Sequence, residues 1–150
     1  MRLEKDYKEF IALLNEHKVE YLVVGAYAVS YYSRPRNTGD IDFFINNTQE
    51  NIKLLLTVLG EFGFSELNLK QEDLQGDDKI LQLGYEPVRI DIMTGISGIS
   101  FQEAYHNRES SELGGQVINL ISLDDLITNK RATGRTKDSA DVELLEQFRS

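Results

Sequence analysis

Cysteine is absent from this chain of 150 residues, and histidine is scarce. The absence of cysteine excludes disulfide bonds, thiolate metal sites and cysteine nucleophiles, and it leaves the redox compartment open. The two histidines, His17 and His106, have no partner motif, so neither predicts a metal site. Any metal chemistry must therefore depend on oxygen ligands.

Long apolar runs are also absent. No segment approaches the roughly 20 apolar residues that a helix needs to span a bilayer. The first residues, Met1 to Asp6, lack the apolar core of a signal peptide. We therefore predict a cytoplasmic protein with no membrane partner.

Positive charge is the third shortage. The chain has 16 lysines and arginines against 25 aspartates and glutamates, which gives a net charge of -9 and a pI near 4.7. This balance argues against broad binding to nucleic acid or to an anionic membrane, because both require a cationic surface. A local basic site remains compatible with it.

Apolar periodicity predicts a mixture of helices and strands without a strict repeat. We predict an α/β (α+β) fold in which helices flank a small mixed β-sheet, with residues 1–150 as one domain and C-terminal helices from about residue 122. The predicted strands are 19–24, 40–45, 79–83, 88–93 and 116–120, with 79–83 and 88–93 paired antiparallel. The predicted helices are 3–17, 26–32, 49–59, 101–107, one that begins at Ser122, and 137–148.

Two of these strands carry aspartates among apolar residues. Side chains alternate along a strand, so Asp40 and Asp42 point to one face while Ile41 and Phe43 point into a core. Asp91 lies in another apolar strand, where burying a carboxylate is costly without a cation or a partner. Magnesium prefers oxygen ligands and keeps substrate phosphates in its shell. The three aspartates therefore indicate phosphoryl chemistry that depends on Mg²⁺ or Mn²⁺.

Gly25 and Ala26 lie at a strand-to-helix turn upstream of these aspartates. A residue without a side chain lets a phosphate approach, and the free N–H groups of the following helix favour an anion. Among the basic residues, Arg36 lies just before Asp40 in the sequence, where it either reaches a phosphate or is exposed to solvent in a turn. Thr38 either orients the strand or touches the substrate. Lys130 and Lys137 belong to a basic cluster that neutralises a triphosphate in one interpretation and forms a solvated helix end in the other.

The combination resembles the DNA polymerase beta-type nucleotidyltransferase superfamily. Its signature is an apolar strand, Gly-Gly or Gly-Ser, a helix and then Asp-x-Asp, and here Gly25-Ala26 and Asp40-Ile41-Asp42 stand in those places. Asp91 matches the third carboxylate. The segment from Leu126 to Val142 is similar to the tail of small stand-alone predicted nucleotidyltransferases, some of which are toxins of toxin-antitoxin or abortive-infection systems.

The resemblance implies a two-metal site and transfer of a nucleoside monophosphate from an NTP to an acceptor hydroxyl, with release of pyrophosphate. It implies Asp40 and Asp42 as catalytic metal ligands and Asp91 as the third ligand or the base that accepts the hydroxyl proton. It also places Lys130 beside the nucleotide. The acceptor stays open between tRNA, a protein and a small molecule. A macromolecule or a partner protein such as an antitoxin is favoured, because the chain lacks an evident second substrate domain.

Two alternatives remain open at this stage. Ala26 stands where the family has Gly or Ser. An alanine there retains the backbone N–H but loses any hydroxyl contact to phosphate, and this favours a catalytically degenerate binding module. A metal-dependent hydrolase or nuclease uses similar carboxylates. The glycine turn argues against it, since a nuclease needs no triphosphate cradle.

Overall fold

Six strands form one sheet, and their positions follow the predicted apolar runs. The structure, a computed structural model, describes residues 2–34, 40–85 and 88–149. The strands are β1 (Tyr21–Val24), β2 (Asp40–Ile45), β3 (Ile80–Tyr85), β4 (Val88–Met93), β5 (Glu109–Leu113) and β6 (Gln116–Leu120). They lie in the order β3-β4-β2-β1-β6-β5. β1 pairs with β6, and β2 with β4, in parallel, whereas the other neighbours are antiparallel.

Six α-helices surround this sheet in the described part of the chain. They are α1 (Arg2–Glu16), α2 (Gly25–Tyr32), α3 (Gln49–Leu59), α4 (Phe101–His106), α5 (Leu123–Thr133) and α6 (Thr136–Gln147). Thr48, Ser100 and Ser122 begin α3, α4 and α5, each accepting a hydrogen bond from a backbone N–H in the first turn. The predicted fold class, a mixed sheet flanked by helices, is confirmed.

The central strand β2 is covered on both faces. Phe43 packs edge to face on Phe10 of α1, with 5.3 Å between the ring centroids, and Phe44 packs on Phe101 of α4 at 5.2 Å. Because adjacent strand residues point to opposite faces, α1 and α4 lie on opposite sides of the sheet. Burying one such ring contributes roughly 1.5–3 kcal/mol, so β2 is held firmly in place.

The strand β5 was not predicted. Its sequence, Glu109–Leu113, is polar on both faces, and its side chains are mostly exposed. Gly114 and Gly115 both adopt positive φ angles, 56° and 89°, as the two-residue turns of β-hairpins require. The hairpin pairs Leu113 with Gln116, so turn chemistry and backbone pairing form this edge strand without an apolar pattern.

The polar segment between α3 and β3 contains short turns rather than a regular element. A π-helical turn, Gly60–Phe64, extends α3, and two 3₁₀ turns, Ser65–Leu67 and Gln71–Asp73, follow it. Within the described ranges, no helix is both long and apolar enough to cross a membrane.

Candidate active site

The strand register brings the three predicted aspartates together. β2 and β4 run parallel, with Asp42 opposite Asp91 and Asp40 opposite Arg89. One carboxylate oxygen from each of Asp40, Asp42 and Asp91 lies within 4.8 Å of the other two. Asp91 is buried, whereas Asp40 and Asp42 are partly exposed. Oxygen ligands at this spacing fit a divalent cation such as Mg²⁺.

Arg89 offsets part of the negative charge. Its guanidinium donates to both carboxylate oxygens of Asp91, at 3.1 and 3.0 Å, and to Asp40 at 3.1 Å. Burial, together with the charges of the neighbouring Asp40 and Asp91, raises the pKa of Asp42 to about 7. Burial also raises the pKa of Asp91, although its hydrogen bonds to Arg89 oppose that change. The site therefore gains stability from any additional cation.

Gly25 lies against the Asp42 carboxylate. It begins α2 with a φ of 69°, a conformation that favours glycine. A Cβ atom there would overlap the Asp42 carboxylate and would lie 2.9 Å from its Cγ. Val24, which precedes α2, provides no side-chain cap, so the first N–H groups of the helix remain available to an anion.

Lys130 belongs to a buried ion-pair network that joins α5 to α6. Its Nζ lies 3.0 Å from Asp138 and 3.5 Å from Asp141. Asp138 is fully buried and also accepts hydrogen bonds from Thr133 at 2.6 Å and Arg135 at 2.7 Å. Burial alone would raise the pKa of Asp138, but the bonds from Thr133, Arg135 and Lys130 outweigh it and lower the pKa to about 2.

Acidic and basic side chains line one cleft of about 480 Å³. This cleft, named the nucleotide cleft after the ligand that the sequence predicts, is lined by six of the residues proposed from the sequence: Gly25, Ala26, Asp40, Asp42, Lys130 and Lys137. Asp91 is buried and completes the acidic cluster with Asp40 and Asp42. Arg36 and Thr38 lie outside the described residues. A cavity of this size, with a few convergent polar groups, is typical of a small-molecule site.

One protein family matches nearly the whole chain. Residues 3–149 fit the family described as nucleotidyl transferase of unknown function (DUF2204). The chain belongs to this family. No curated protein sequence matches the chain.

Two solved structures share the nucleotidyltransferase fold. The lincosamide antibiotic adenylyltransferase LnuA, solved with lincomycin bound, has a TM-score of 0.61 at 16% identity, and 97% of each chain is covered. An antigenic nucleotidyltransferase-like protein from Paracoccidioides brasiliensis has a TM-score of 0.57 at 18% identity, covering 99% of this chain and 76% of that one. Identities this low show the fold alone.

The residues that hold the Lys130 side chain in place were not predicted from the sequence. Asp138 and Asp141 were not predicted as site residues, yet both contact Lys130, and Asp141 also lines the nucleotide cleft. Their spacing of three residues on α6 puts them on one helix face, which was the available signal. Asn129 was also missed; it donates to the Ser97 carbonyl at 2.9 Å and fastens the loop after β4 to α5.

Proposed function

We propose that this protein transfers a nucleoside monophosphate from an NTP to an acceptor hydroxyl, in a reaction that requires Mg²⁺ or Mn²⁺. The observation that carries the proposal is the cluster of three carboxylates, with one oxygen of each within 4.8 Å of the other two. Asp40 and Asp42 of this cluster line the same cleft as Lys130. Membership of a nucleotidyltransferase family supports the same chemistry.

The carboxylates fit a divalent cation. Burial and mutual repulsion raise the pKa of Asp42, so the cluster is under electrostatic strain that a cation relieves. Asp40, Asp42 and Asp91 would hold the ions, which would polarise the acceptor hydroxyl and the phosphates.

The remaining groups bind the nucleotide and handle the proton. The N–H groups of Gly25 and Ala26 donate to phosphate oxygens, and Lys130 and Lys137 offset the triphosphate charge. The acceptor oxygen forms a bond to the α-phosphorus as the bond to the bridging oxygen breaks, so pyrophosphate leaves with that electron pair. Asp91 takes the hydroxyl proton. Contacts from Arg36 and Thr38 to phosphate belong to the same proposal.

Ala26 favours one second candidate, a binding module that has the fold without catalysis. Its methyl group replaces the glycine or serine that the resemblance leads us to expect. Ala26 lines the cleft beside Gly25 and retains its backbone N–H, and a backbone donor is sufficient for phosphate binding. We therefore favour the enzyme.

The acceptor and the setting are also proposals. tRNA, a protein and a small molecule are the acceptor classes, and a toxin with a partner antitoxin in the cytoplasm is the setting that the sequence resemblance suggests. LnuA, which shares the fold, acts on a small molecule according to its description as a lincosamide adenylyltransferase. That description supports including the small-molecule class.

Calorimetry of NTP binding tests the site directly. We expect each NTP to bind only with Mg²⁺, and binding to disappear in the double variant Asp40→Asn/Asp42→Asn. The control Glu66→Gln/Glu72→Gln removes two exposed carboxylates outside the nucleotide cleft and should bind normally. Binding that survives loss of both aspartates contradicts the metal site, and a folded protein that binds no NTP favours the module.

A further inference from the structure

A second cleft of about 720 Å³ adjoins the nucleotide cleft. The loop residues Gly95, Ile96 and Ser97 line both cavities. The two clefts also share one face of β2, because Asp42 faces the first, Phe44 faces the second, and alternate residues of a strand point the same way. Alternate residues are about 6–7 Å apart, so an occupant of the second cleft reaches the aspartates.

The second cleft is acidic. Asp77 and Asp78 line it, together with the neutral polar side chains of Asn46, Asn47, Ser97, Ser100 and Gln102, and no lysine or arginine of the described residues does so. Phe44 and Phe101 give it an apolar floor. A polar wall above an apolar floor suits a hydroxylated molecule, and the two carboxylates favour one with positive charge.

The acidic wall is fixed by backbone and side-chain contacts. Asn47 Nδ2 donates to the Gly76 carbonyl at 3.0 Å and to Asp77 Oδ1 at 2.8 Å. A Cβ at Gly95 would lie 3.1 Å from the Asp77 carbonyl carbon, so the segment with Asp77 packs closely on the loop after β4. The wall is therefore a preformed part of the cavity.

Thr94 adds a buried donor to this cleft. The residue is only 5% exposed, and its Oγ1 accepts a hydrogen bond from the Lys79 N–H at 3.0 Å. Within the described ranges no acceptor contacts the Thr94 hydroxyl proton. Because buried donors are normally paired, this hydroxyl is suited to a polar ligand in the cavity.

We propose that the second cleft binds the acceptor, and that the acceptor is a small, hydroxyl-bearing molecule with protonated amines, as in an amino sugar. This inference rests on the proposed nucleotidyl transfer. A cavity of about 720 Å³ is the size of a small-molecule site. Its carboxylates repel the phosphates of RNA, as does the net charge of -9. An acceptor hydroxyl presented towards Asp42 would attack the α-phosphorus, and pyrophosphate would leave.

A matched pair of disaccharides tests this charge preference by NMR. The β-1,4-linked disaccharide of glucosamine and cellobiose share a skeleton and differ in two protonated amines. We would titrate each into ¹⁵N-labelled protein with Mg²⁺ in mildly acidic buffer, and follow the amides of residues 76–78 and 94–102. A tetraribonucleotide serves as the anionic probe.

We expect the glucosamine disaccharide to shift these amides and to bind about tenfold more tightly than cellobiose, as two partly screened ion pairs would give. Asp77→Asn/Asp78→Asn should remove that difference, whereas the charge-matched control Glu66→Gln/Glu72→Gln should retain it. Equal binding of cellobiose, binding of the tetraribonucleotide in this cleft, or no shift there at millimolar concentration of any probe would overturn the inference.

The nucleotide is titrated separately. Mg²⁺-dependent shifts at Gly25 and Ala26 report the nucleotide cleft alone, so their presence without amine binding leaves the proposed function intact and overturns only the acceptor class. If the double variant does not fold, the two disaccharides compared on the unmodified protein still decide the inference.

Discussion

Replacing Asp42 with asparagine should remove a loss of stability that the metal-free protein suffers as pH rises. The pKa of Asp42 is raised from its ordinary 3.8 to about 7, first by burial and then by Asp40 and Asp91. Between these two values the folded chain binds a proton that the unfolded chain has released, so the free energy of unfolding falls with increasing pH. About three pKa units correspond to about 4 kcal/mol, an upper limit because the clustered carboxylates share the effect.

Urea unfolding at a series of pH values, with a chelator present, measures this effect. We expect the stability of the unmodified protein to fall between about pH 4 and 7 relative to Asp42→Asn, and the variant to be the more stable above that range. Asp138, with a pKa of about 2, loses its stabilising charge only below this range. The control Glu66→Gln should follow the unmodified protein.

Magnesium provides a second measurement on the same protein. A cation bound by ionised carboxylates should stabilise the fold more at pH 8 than at pH 5, and this difference should shrink in Asp42→Asn. A pH profile that is flat, or that rises relative to the variant across the range, would refute the electrostatic reasoning.

Two further predictions concern stability and nucleotide binding. Gly25→Ala should destabilise the protein more than the control Gly134→Ala. Gly134 has nearly the same φ, 70°, but open space for a methyl group, so the control costs only the backbone strain of about 1–2 kcal/mol. Equal losses of stability in urea unfolding would contradict the contact of Gly25 with Asp42. Lys130→Met should cost up to about 3 kcal/mol, because Asp138 loses its buried cation but retains the hydrogen bonds from Thr133 and Arg135. The control Arg131→Met breaks an exposed pair worth at most about 1 kcal/mol. Lys130→Met should also weaken NTP binding in calorimetry. A loss of stability equal to that of Arg131→Met would refute the role of Lys130 as a buried ion-pair partner.

Strands with an apolar face could be predicted from the sequence, and the polar edge strand could not. β2 and β4 coincide with the predicted strands, because in each of them apolar side chains that enter the core alternate with polar ones or follow one another directly. β5 has no such pattern. Its only sequence signal was the pair Gly114-Gly115, and a strand pairing made by backbone hydrogen bonds leaves little trace in side-chain chemistry.

The acidic half of the candidate site could be predicted because its geometry is local. Residues that are two apart on a strand lie on one face of the sheet, so the sequence alone places Asp40 beside Asp42. The contact of Asp42 with Asp91 depends on the parallel register of β2 with β4, which no local pattern states. The sequence predicts that a buried Asp91 needs a cation or a partner, and the structure shows that Arg89 pairs with Asp91 and bridges Asp40 as well.

The distribution of charge in the nucleotide cleft predicts that nucleotide binding depends on bound divalent cations. At full ionisation the three aspartates exceed Arg89 by two negative charges. On α5, α6 and the two-residue link between them, the basic side chains of the site exceed the acidic ones by one positive charge; they are Lys130, Arg135 and Lys137 against Asp138 and Asp141. The cleft is thus slightly negative, and a bare triphosphate is repelled both there and by the chain as a whole. We expect binding to become favourable only when divalent cations accompany the phosphates. We therefore expect metal and nucleotide to bind with strong positive coupling, since each supplies the charge that the other requires.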